Sequence, residues 1–267
     1  MEKRMERSVL FFDIDGTLLS EITKKIPQSA IEALKKAKEN GHLLFINTGR
    51  TRCSIPAEIK RFPFDGYLCG CGTCLIYHDE VLFARSVPEE RGREILLQIE
   101  KHGLGCVAEG PEDVYFSKRM SRFDGLESTR RYFQEKGFGI ERFIEDQGFV
   151  YDKLLVYADD KSDLDGFLKF IAKDMDAIDR GKNTYEVIQK GYTKATACEA
   201  VLDKLGFTNE QAYVFGDSSN DLDMFRFARH AIALGRHDDV LEPYAEYVTK
   251  TVEDDGLAHA MEYYGLI

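Results

Sequence analysis

"LFFDIDGTLLS", residues 10–20, runs three apolar residues straight into the carboxylates Asp13 and Asp15. A short apolar run bounded by turn residues reads as a buried strand. Two like charges at its mouth repel each other and lose hydration, so their placement asks for a nearby cation or a chemical task. The flanking sequence supplies the setting. PQSAIEALKKAKENG (27–41) has proline near its start, apolar residues at helical spacing and a terminal glycine, the marks of a helix. HLLFINTG (42–49) is a second strand, a helix is expected around 55–61, and GYLCG (66–70) is a third strand. Strand–helix–strand order implies right-handed crossovers and a parallel sheet. CLIYHDEVLFA (74–84) reads as a hairpin turning at 78–80.

From about residue 86 the texture changes. A helix over 88–102 leads to the short strands GCVAEG (105–110) and DVYFS (113–117), then a helix over 126–136. Strand KLLVYA (153–158), helix DLDGFLKFIAKDM (163–175) and strand TYEVIQ (184–189) follow. A stretch of about 100 residues is enough for a small domain. After residue 190 the first texture returns. Helix TKATACEAVLDKLG (193–206), strand QAYVFGD (211–217), helix SNDLDMFRFA (219–228) and strand AIALG (231–235) precede a helix near 238–245, strand YVTK (247–250) and a last helix over 256–264. The expected fold class is α/β: a Rossmann-like parallel-sheet core, residues 1–85 plus 184–267, interrupted by an inserted α+β cap domain at 86–183.

Composition narrows the function. The chain has 267 residues, 43% hydrophobic and 31% charged, which is ordinary for a globular protein. A net charge of −11 argues against nucleic-acid partners, which need basic surface. No apolar stretch approaches the roughly 20 residues that span a bilayer, so no membrane partner is expected. MEKRMERSVLFF (1–12) lacks a small-residue cleavage site, so no signal peptide and a cytoplasmic location are expected.

Two local patterns invite metal readings and fail them. CGCGTC (69–74) contains a C-x-x-C, but no second Cys or His pair follows with zinc spacing. It lies between two strands rather than opening a helix, as a redox pair would. Buried thiols in a glycine-rich turn are the better account. In DDKSDLDG (159–166), aligning Gly166 to the glycine of a calcium loop puts Lys161 and Ala172 at the first and last ligand positions, and neither ligates. Ser162-x-x-Asp165 reads instead as a helix capping box.

The chemistry concentrates at three strand ends, where open parallel sheets bind ligands. They are Asp13-Ile14-Asp15-Gly16-Thr17, Asn47-Thr48-Gly49-Arg50 and Gly216-Asp217-Ser218-Ser219-Asn220-Asp221. If the strands are neighbours, Asp13, Asp15 and Asp217 converge, and crowded carboxylates stay ionised only around a cation. Oxygen-only ligands suit Mg²⁺. Lys194 follows Thr193, a plausible N-cap, in the first turn of a helix, where a cation opposes the helix dipole unless an anion sits nearby. Thr48 offers a hydroxyl, Asn220 an amide, and the backbone around Ile14 and Gly49 further donors. Together these make a phosphate-sized cradle beside a metal. Asp13 would attack the phosphorus and become phosphorylated, and Asp15 would protonate the leaving oxygen and then deprotonate water. Each element alone has a structural explanation as a turn, a strand-end cap or a solvated lysine. All four in order, each at a strand or helix end, are poorly explained that way.

At these residues the sequence resembles the haloacid dehalogenase-like phosphohydrolases. Their four motifs stand here as DIDGTLL (13–19), NTGR (47–50), Lys194 within GYTKATA, and GDSSND (216–221). The long interval before Lys194 is similar to the Cof-type branch, which inserts a large α/β cap there, and the likeness extends to DDGLAHAME (254–262). The resemblance implies Asp13 as nucleophile and metal ligand, and Asp15 as acid/base that also lends its backbone carbonyl to Mg²⁺. It implies Asp217 as metal ligand, and Thr48, Lys194 and Asn220 around the phosphate, with Arg50 at a matching motif position. Asp221 would orient Lys194 or a metal-bound water. Two departures stand out. Cys71-Gly72-Thr73 and Gly235-Arg236-His237 replace the Asn-Gly-Ala and Gly-Asn-Ala that relatives often carry. Arg236 and His237 are expected at the surface rather than on substrate.

The implied activity is Mg²⁺-dependent hydrolysis of a small phosphorylated metabolite, a sugar phosphate by resemblance. The cap is expected to close over the core and select the substrate, with Lys118, Arg119 and Arg122 of SKRMSR as basic candidates. A phosphosugar mutase, which would need a bisphosphate activator, and a non-catalytic phosphometabolite-binding protein are the alternatives. The sequence leaves the oligomeric state open.

Overall fold

A computed structural model describes residues 7–267. The absence of a leader is a reading that falls partly on residues 1–6, which lie outside the described residues. The chain runs β1 (Val9–Phe12), α1 (Gln28–Glu39), β2 (Leu43–Asn47), α2 (Ala57–Lys60), β3 (Gly66–Cys69), β4 (Cys74–Tyr77), β5 (Glu80–Ala84) and α3 (Glu89–Lys101). It continues through β6 (Gly105–Glu109), β7 (Val114–Tyr115), α4 (Asp124–Gln134), β8 (Lys153–Tyr157), α5 (Leu164–Ile171), β9 (Met175–Asp179) and β10 (Thr184–Gln189). It closes with α6 (Lys194–Leu205), β11 (Ala212–Gly216), α7 (Leu222–Phe227), β12 (His230–Ala233), β13 (Tyr247–Val248) and α8 (Gly256–Tyr263). No helix among the described residues is long and apolar enough to cross a membrane.

Two compact units result. The first comprises the segment ending at Arg50, Ile55–Phe83 and Tyr192–Ile267. It holds an eight-stranded sheet ordered β13-β12-β11-β1-β2-β3-β4-β5. From β13 to β3 the strands are parallel, and β4 returns antiparallel to β3. The unbroken apolar run of β1 follows from burial on both faces. Leu10 and Phe12 pack with Ala30, Leu34, Leu257 and Met261 of α1 and α8. Val9 and Phe11 pack with Cys198, Val201, Met224 and Phe225 of α6 and α7. β1 thus sits between β2 and β11, so the ends of three adjacent strands carry the acidic and hydroxyl residues singled out from the sequence.

The second unit comprises Thr51–Ser54 and Ala84–Gly191. Its five-stranded sheet runs β7-β6-β8-β10-β9 and its mapped pairings are antiparallel. Ile95 and Ile99 of α3 and Phe167 and Ile171 of α5 pack with Leu154, Val156 and Val187 of the sheet. Leu126 and Phe133 of α4 pack in a separate cluster with Val107 and Tyr157.

Three local expectations change. The boundary expected at 183/184 lies at 191/192, because β10 pairs with β8 and β9 and so belongs to the second sheet. Met175 does not extend the preceding helix but starts β9, an edge strand whose other residues are largely exposed. Asp163, not Ser162, caps α5: its carboxylate accepts from the Gly166 N–H at 3.0 Å, while Ser162 Oγ donates to the Gly103 carbonyl at 2.9 Å.

Asp152, just before β8, is 3% exposed and accepts from Ser86 Oγ at 2.6 Å. Burial pushes its carboxyl up to about 6. A folded-state pKa above the unfolded one favours the protonated form, so this group's contribution is fully present below about pH 4 and is lost as pH rises through about 6. Asp152→Asn mimics the neutral acid. Its stabilisation is expected to grow from under about 1 kcal/mol at pH 4 to about 2–3 kcal/mol at pH 8. Thermal unfolding of both proteins across that range tests this, and a pH-independent difference would refute it.

Candidate active site

Beyond β1 the chain cannot stay extended. The Ile14 carbonyl accepts the N–H groups of Thr17, Leu18 and Leu19 at 3.3, 3.0 and 2.7 Å, and Gly16 takes φ +80°. A Cβ on Gly16 would lie 2.2 Å from Asp217 Oδ2, so glycine serves both the turn and the approach of that carboxylate. Thr17 Oγ1 donates to Asp217 Oδ1 at 2.6 Å. Ile14 itself buries its side chain in the apolar layer shared with α1 and α8.

Lys194 opens α6 behind the Thr193–Thr196 capping box, as its sequence position suggests. Its ammonium lies 2.9 Å from Asp13 Oδ1 and 2.6 Å from Asp221 Oδ1. All three residues are at most 4% exposed. Asp221 Oδ2 accepts the backbone N–H groups of Asp217 and Ser218, both at 2.9 Å. Burial alone would lower the Lys194 pKa, but Asp13 and Asp221 on either side raise it, so the ammonium stays charged. Burial raises Asp13 and Asp217, and each also carries repulsion from neighbouring carboxylates.

Asp13, Asp217 and Asp221 each bring a carboxylate oxygen within 4.8 Å of the others. Three ionised carboxylates against one ammonium leave two net negative charges in a buried pocket, an unstable arrangement in low dielectric. A divalent cation would neutralise it, and an all-oxygen donor set fits a hard ion such as Mg²⁺. The Asp15 side chain is not in this cluster. It faces Arg50, whose Nε and Nη2 donate to its two oxygens at 2.6 and 2.8 Å. The expected convergence of Asp13, Asp15 and Asp217 is therefore replaced by Asp13, Asp217 and Asp221. The guanidinium of Arg50 engages a protein carboxylate.

The second motif is anchored from two sides. Thr48, at the end of β2, is buried beside Gly49, donates its N–H to the Leu68 carbonyl at 2.8 Å, and accepts the Arg50 N–H on its hydroxyl at 3.1 Å. The turn 70–72 grips the same loop: Gly70 N–H donates to the Arg50 carbonyl at 2.8 Å and Cys71 N–H to the Thr48 carbonyl at 3.1 Å. Gly72, at φ +97°, leaves room for the Thr193 carbonyl, which a Cβ would meet at 2.5 Å. The buried CGCGTC turn therefore positions Thr48, Arg50 and the start of α6. Asn220 is half-buried and accepts from Ser218 Oγ at 3.1 Å.

Sequence reasoning missed Thr17, Gly72 and the role of Asn47. Asn47 Nδ2 donates to the Lys194 carbonyl at 2.9 Å and approaches Cys198 Sγ at 3.2 Å, tying β2 to the first turn of α6. Its signal was a polar residue closing an apolar strand. Arg236 is exposed as expected, but His237 is not: its side chain is 9% exposed and its Nδ1 lies 2.7 Å from the Leu234 carbonyl. Both line a cavity of about 180 Å³ with Gly16 and Asp217. In the second unit the exposed side chains of Lys118 and Arg122 are paired with Asp146 and Asp159 at 2.6 and 2.8 Å, and Arg119, also exposed, lies 3.9 Å from Glu100.

Residues 10–261 match the haloacid dehalogenase-like hydrolase family. The chain is a haloacid dehalogenase-like hydrolase. This hydrolase is of the Cof type and is a phosphoric monoester hydrolase. It is 24% identical over 270 residues to the 5-amino-6-(5-phospho-D-ribitylamino)uracil phosphatase YitU of Bacillus subtilis, covering 97% of this chain and 98% of that one. It is 26% identical over 266 residues to the pyridoxal phosphate phosphatase YbhA of Escherichia coli, covering 95% and 97%. Among solved structures, the subclass IIB sugar phosphatase BT4131 superposes with a TM-score of 0.82 at 25% identity, covering 97% of this hydrolase and 100% of that chain.

Proposed function

We propose that this hydrolase is a Mg²⁺-dependent cytoplasmic phosphatase of small phosphorylated metabolites, sugar phosphates first, acting through an aspartyl-phosphate. The observation that carries the reading is the Asp13 carboxylate, buried at the end of β1 and held 2.9 Å from Lys194 beside Asp217. The related phosphatases named above act on phosphomonoesters of small molecules, which supports the substrate class.

In this reading a carboxylate oxygen of Asp13 bonds to phosphorus while the bond from phosphorus to the leaving oxygen breaks. Asp15 gives that oxygen its proton. Water then attacks the phosphorus, Asp15 takes the water's proton, and the acyl–phosphate bond breaks to restore Asp13 and release phosphate. Thr48, Lys194, Asn220 and the backbone at Ile14 and Gly49 hold the phosphate oxygens. Mg²⁺, held by Asp13, Asp217 and the Asp15 carbonyl, would supply positive charge against the transferring group. Asp221 keeps Lys194 in place.

Phosphate release measured over sugar phosphates, nucleotides and short-chain phosphates, with and without Mg²⁺, tests this. Release from at least one sugar phosphate, silenced by EDTA and restored by Mg²⁺, is expected. Turnover indifferent to EDTA would remove the metal from the mechanism. Phosphate that moves between positions of a sugar without release would remove the hydrolase.

A further inference from the structure

β2 ends on a residue that its surroundings do not call for. Leu43, Phe45 and Asn47 alternate onto one face of the strand, and the first two pack in the apolar layer formed with α6 and α7. Asn47 is 0% exposed, so a third apolar side chain would suit the position. Its Nδ2 instead donates to the Lys194 carbonyl at 2.9 Å and approaches Cys198 Sγ at 3.2 Å and Met224 Sδ at 3.6 Å. Its Oδ1 has no hydrogen-bond partner among the described residues. A buried acceptor without a partner loses its hydration for nothing, so folding gains nothing from this half of the amide.

The backbone does not require the other half. Lys194 is the first residue of α6, and its carbonyl accepts the helical bond from the Cys198 N–H, four residues on. The Asn47 bond is a second one on the same oxygen. Its effect is to fix where α6 carries Lys194. The ammonium at the far end of that side chain lies 2.9 Å from Asp13 Oδ1 and 2.6 Å from Asp221 Oδ1. Once Asp13 bonds to phosphorus it is no longer a free carboxylate, and the ammonium loses one of its two anchors. The backbone tie is untouched by that step. Thr48, whose hydroxyl is given to the phosphate, is the next residue along the chain. One strand end thus sets the spacing between Thr48 and Lys194.

We propose that Asn47 is a positioning residue that keeps Lys194 on the phosphoryl oxygens by holding its backbone, a role resting on the phosphate contact given to Lys194 above. Asn47 touches neither substrate nor metal in this role. Its whole effect on turnover passes through the Lys194 ammonium, so removing that ammonium should make Asn47 dispensable.

The test is a set of double-mutant cycles on the full chain with Mg²⁺, read as kcat/KM on 4-nitrophenyl phosphate and as inhibition by inorganic phosphate. Asn47→Leu keeps the size of the side chain and removes both polar atoms. Asn47→Ala removes them and leaves a cavity. Both are expected to lose about 10-fold in kcat/KM and to bind inorganic phosphate about 5-fold more weakly, since a small misplacement of a positioned group is felt this strongly. In a Lys194→Met background the same changes should cost less than about 2-fold, and in a Thr48→Val background they should still cost about 5–10-fold. Asn47→Leu should melt at or above the wild-type temperature and Asn47→Ala below it, so the shared loss of activity is not a loss of folding. Equal losses in the wild-type and Lys194→Met backgrounds would overturn the proposal, as would a loss that vanishes with Thr48→Val. So would Asn47→Leu with wild-type kcat/KM. Lys194→Met with wild-type kcat/KM and phosphate inhibition would sink the phosphate role of Lys194 itself, and the proposal with it.

Discussion

Asp13→Asn abolishes phosphate release and leaves the protein folded. The amide keeps the size of the carboxylate and an oxygen for the Lys194 ammonium, which lies 2.9 Å from Asp13 Oδ1. It removes the nucleophile, and removal of a nucleophile from an assembled site lowers turnover by about 10⁴-fold or more. The same change relieves a buried crowd. With Asp13, Asp217 and Asp221 ionised around one ammonium the pocket holds two net negative charges, and the variant holds one. In the absence of divalent ions the variant is therefore expected to melt at or above the wild-type temperature. Loss of activity with retained or increased stability separates a chemical role from a structural one. Peptide mass mapping after quenching on substrate should find phosphate on the wild-type Asp13 peptide and none on the variant. Undiminished turnover, or phosphate carried elsewhere, would remove Asp13 as the nucleophile.

The architecture was legible where burial dictates sequence. β1, β2 and β11 are continuous apolar runs because helices cover both faces of their sheet, and the polar residues closing each run mark strand ends that bind ligands. Thr193 before Lys194 announced a helix start, and the capping box is there. What sequence did not show depends on pairing and on path. Thr184–Gln189 reads as a strand in either unit, and only its ladders with β8 and β9 assign it to the second sheet. Two residues apart, Asp13 and Asp15 share a face in an extended chain. The turn closed on the Ile14 carbonyl ends that extension, so Asp13 meets Lys194 while Asp15 meets Arg50. The Arg50 fork was invisible for the same reason: its partner lies 35 residues away. His237 illustrates a further limit, since a charged-looking loop reveals nothing of the Leu234 carbonyl folded back onto its ring.

Lys194→Met should act on stability in the opposite sense to Asp13→Asn, and this contrast tests the electrostatics independently of turnover. Methionine has nearly the volume of lysine without the charge, so packing around α6 changes little. The buried carboxylates Asp13 and Asp221 then lose the ammonium they share, at 2.9 and 2.6 Å. Breaking a buried pair by removing one partner costs about 3–5 kcal/mol, because the charge left behind has neither water nor a counterion. Asp221 keeps the backbone N–H groups of Asp217 and Ser218, so the greater part of the loss falls on Asp13. The destabilisation should be largest at pH 8 without divalent ions and shrink toward pH 5, as protonation discharges the crowd. Added Mg²⁺ should raise the melting temperature of Lys194→Met by more than that of wild type, since binding to the folded state alone stabilises it. Turnover should fall by about 10²–10³-fold through the lost stabilisation of the phosphoryl oxygens. In the double variant, Asp13→Asn should restore most of the stability that Lys194→Met removes, a coupling of about 2–3 kcal/mol for residues in direct contact. If the two changes instead add independently, Lys194 does not hold Asp13 by charge, and the pocket has some other source of balance.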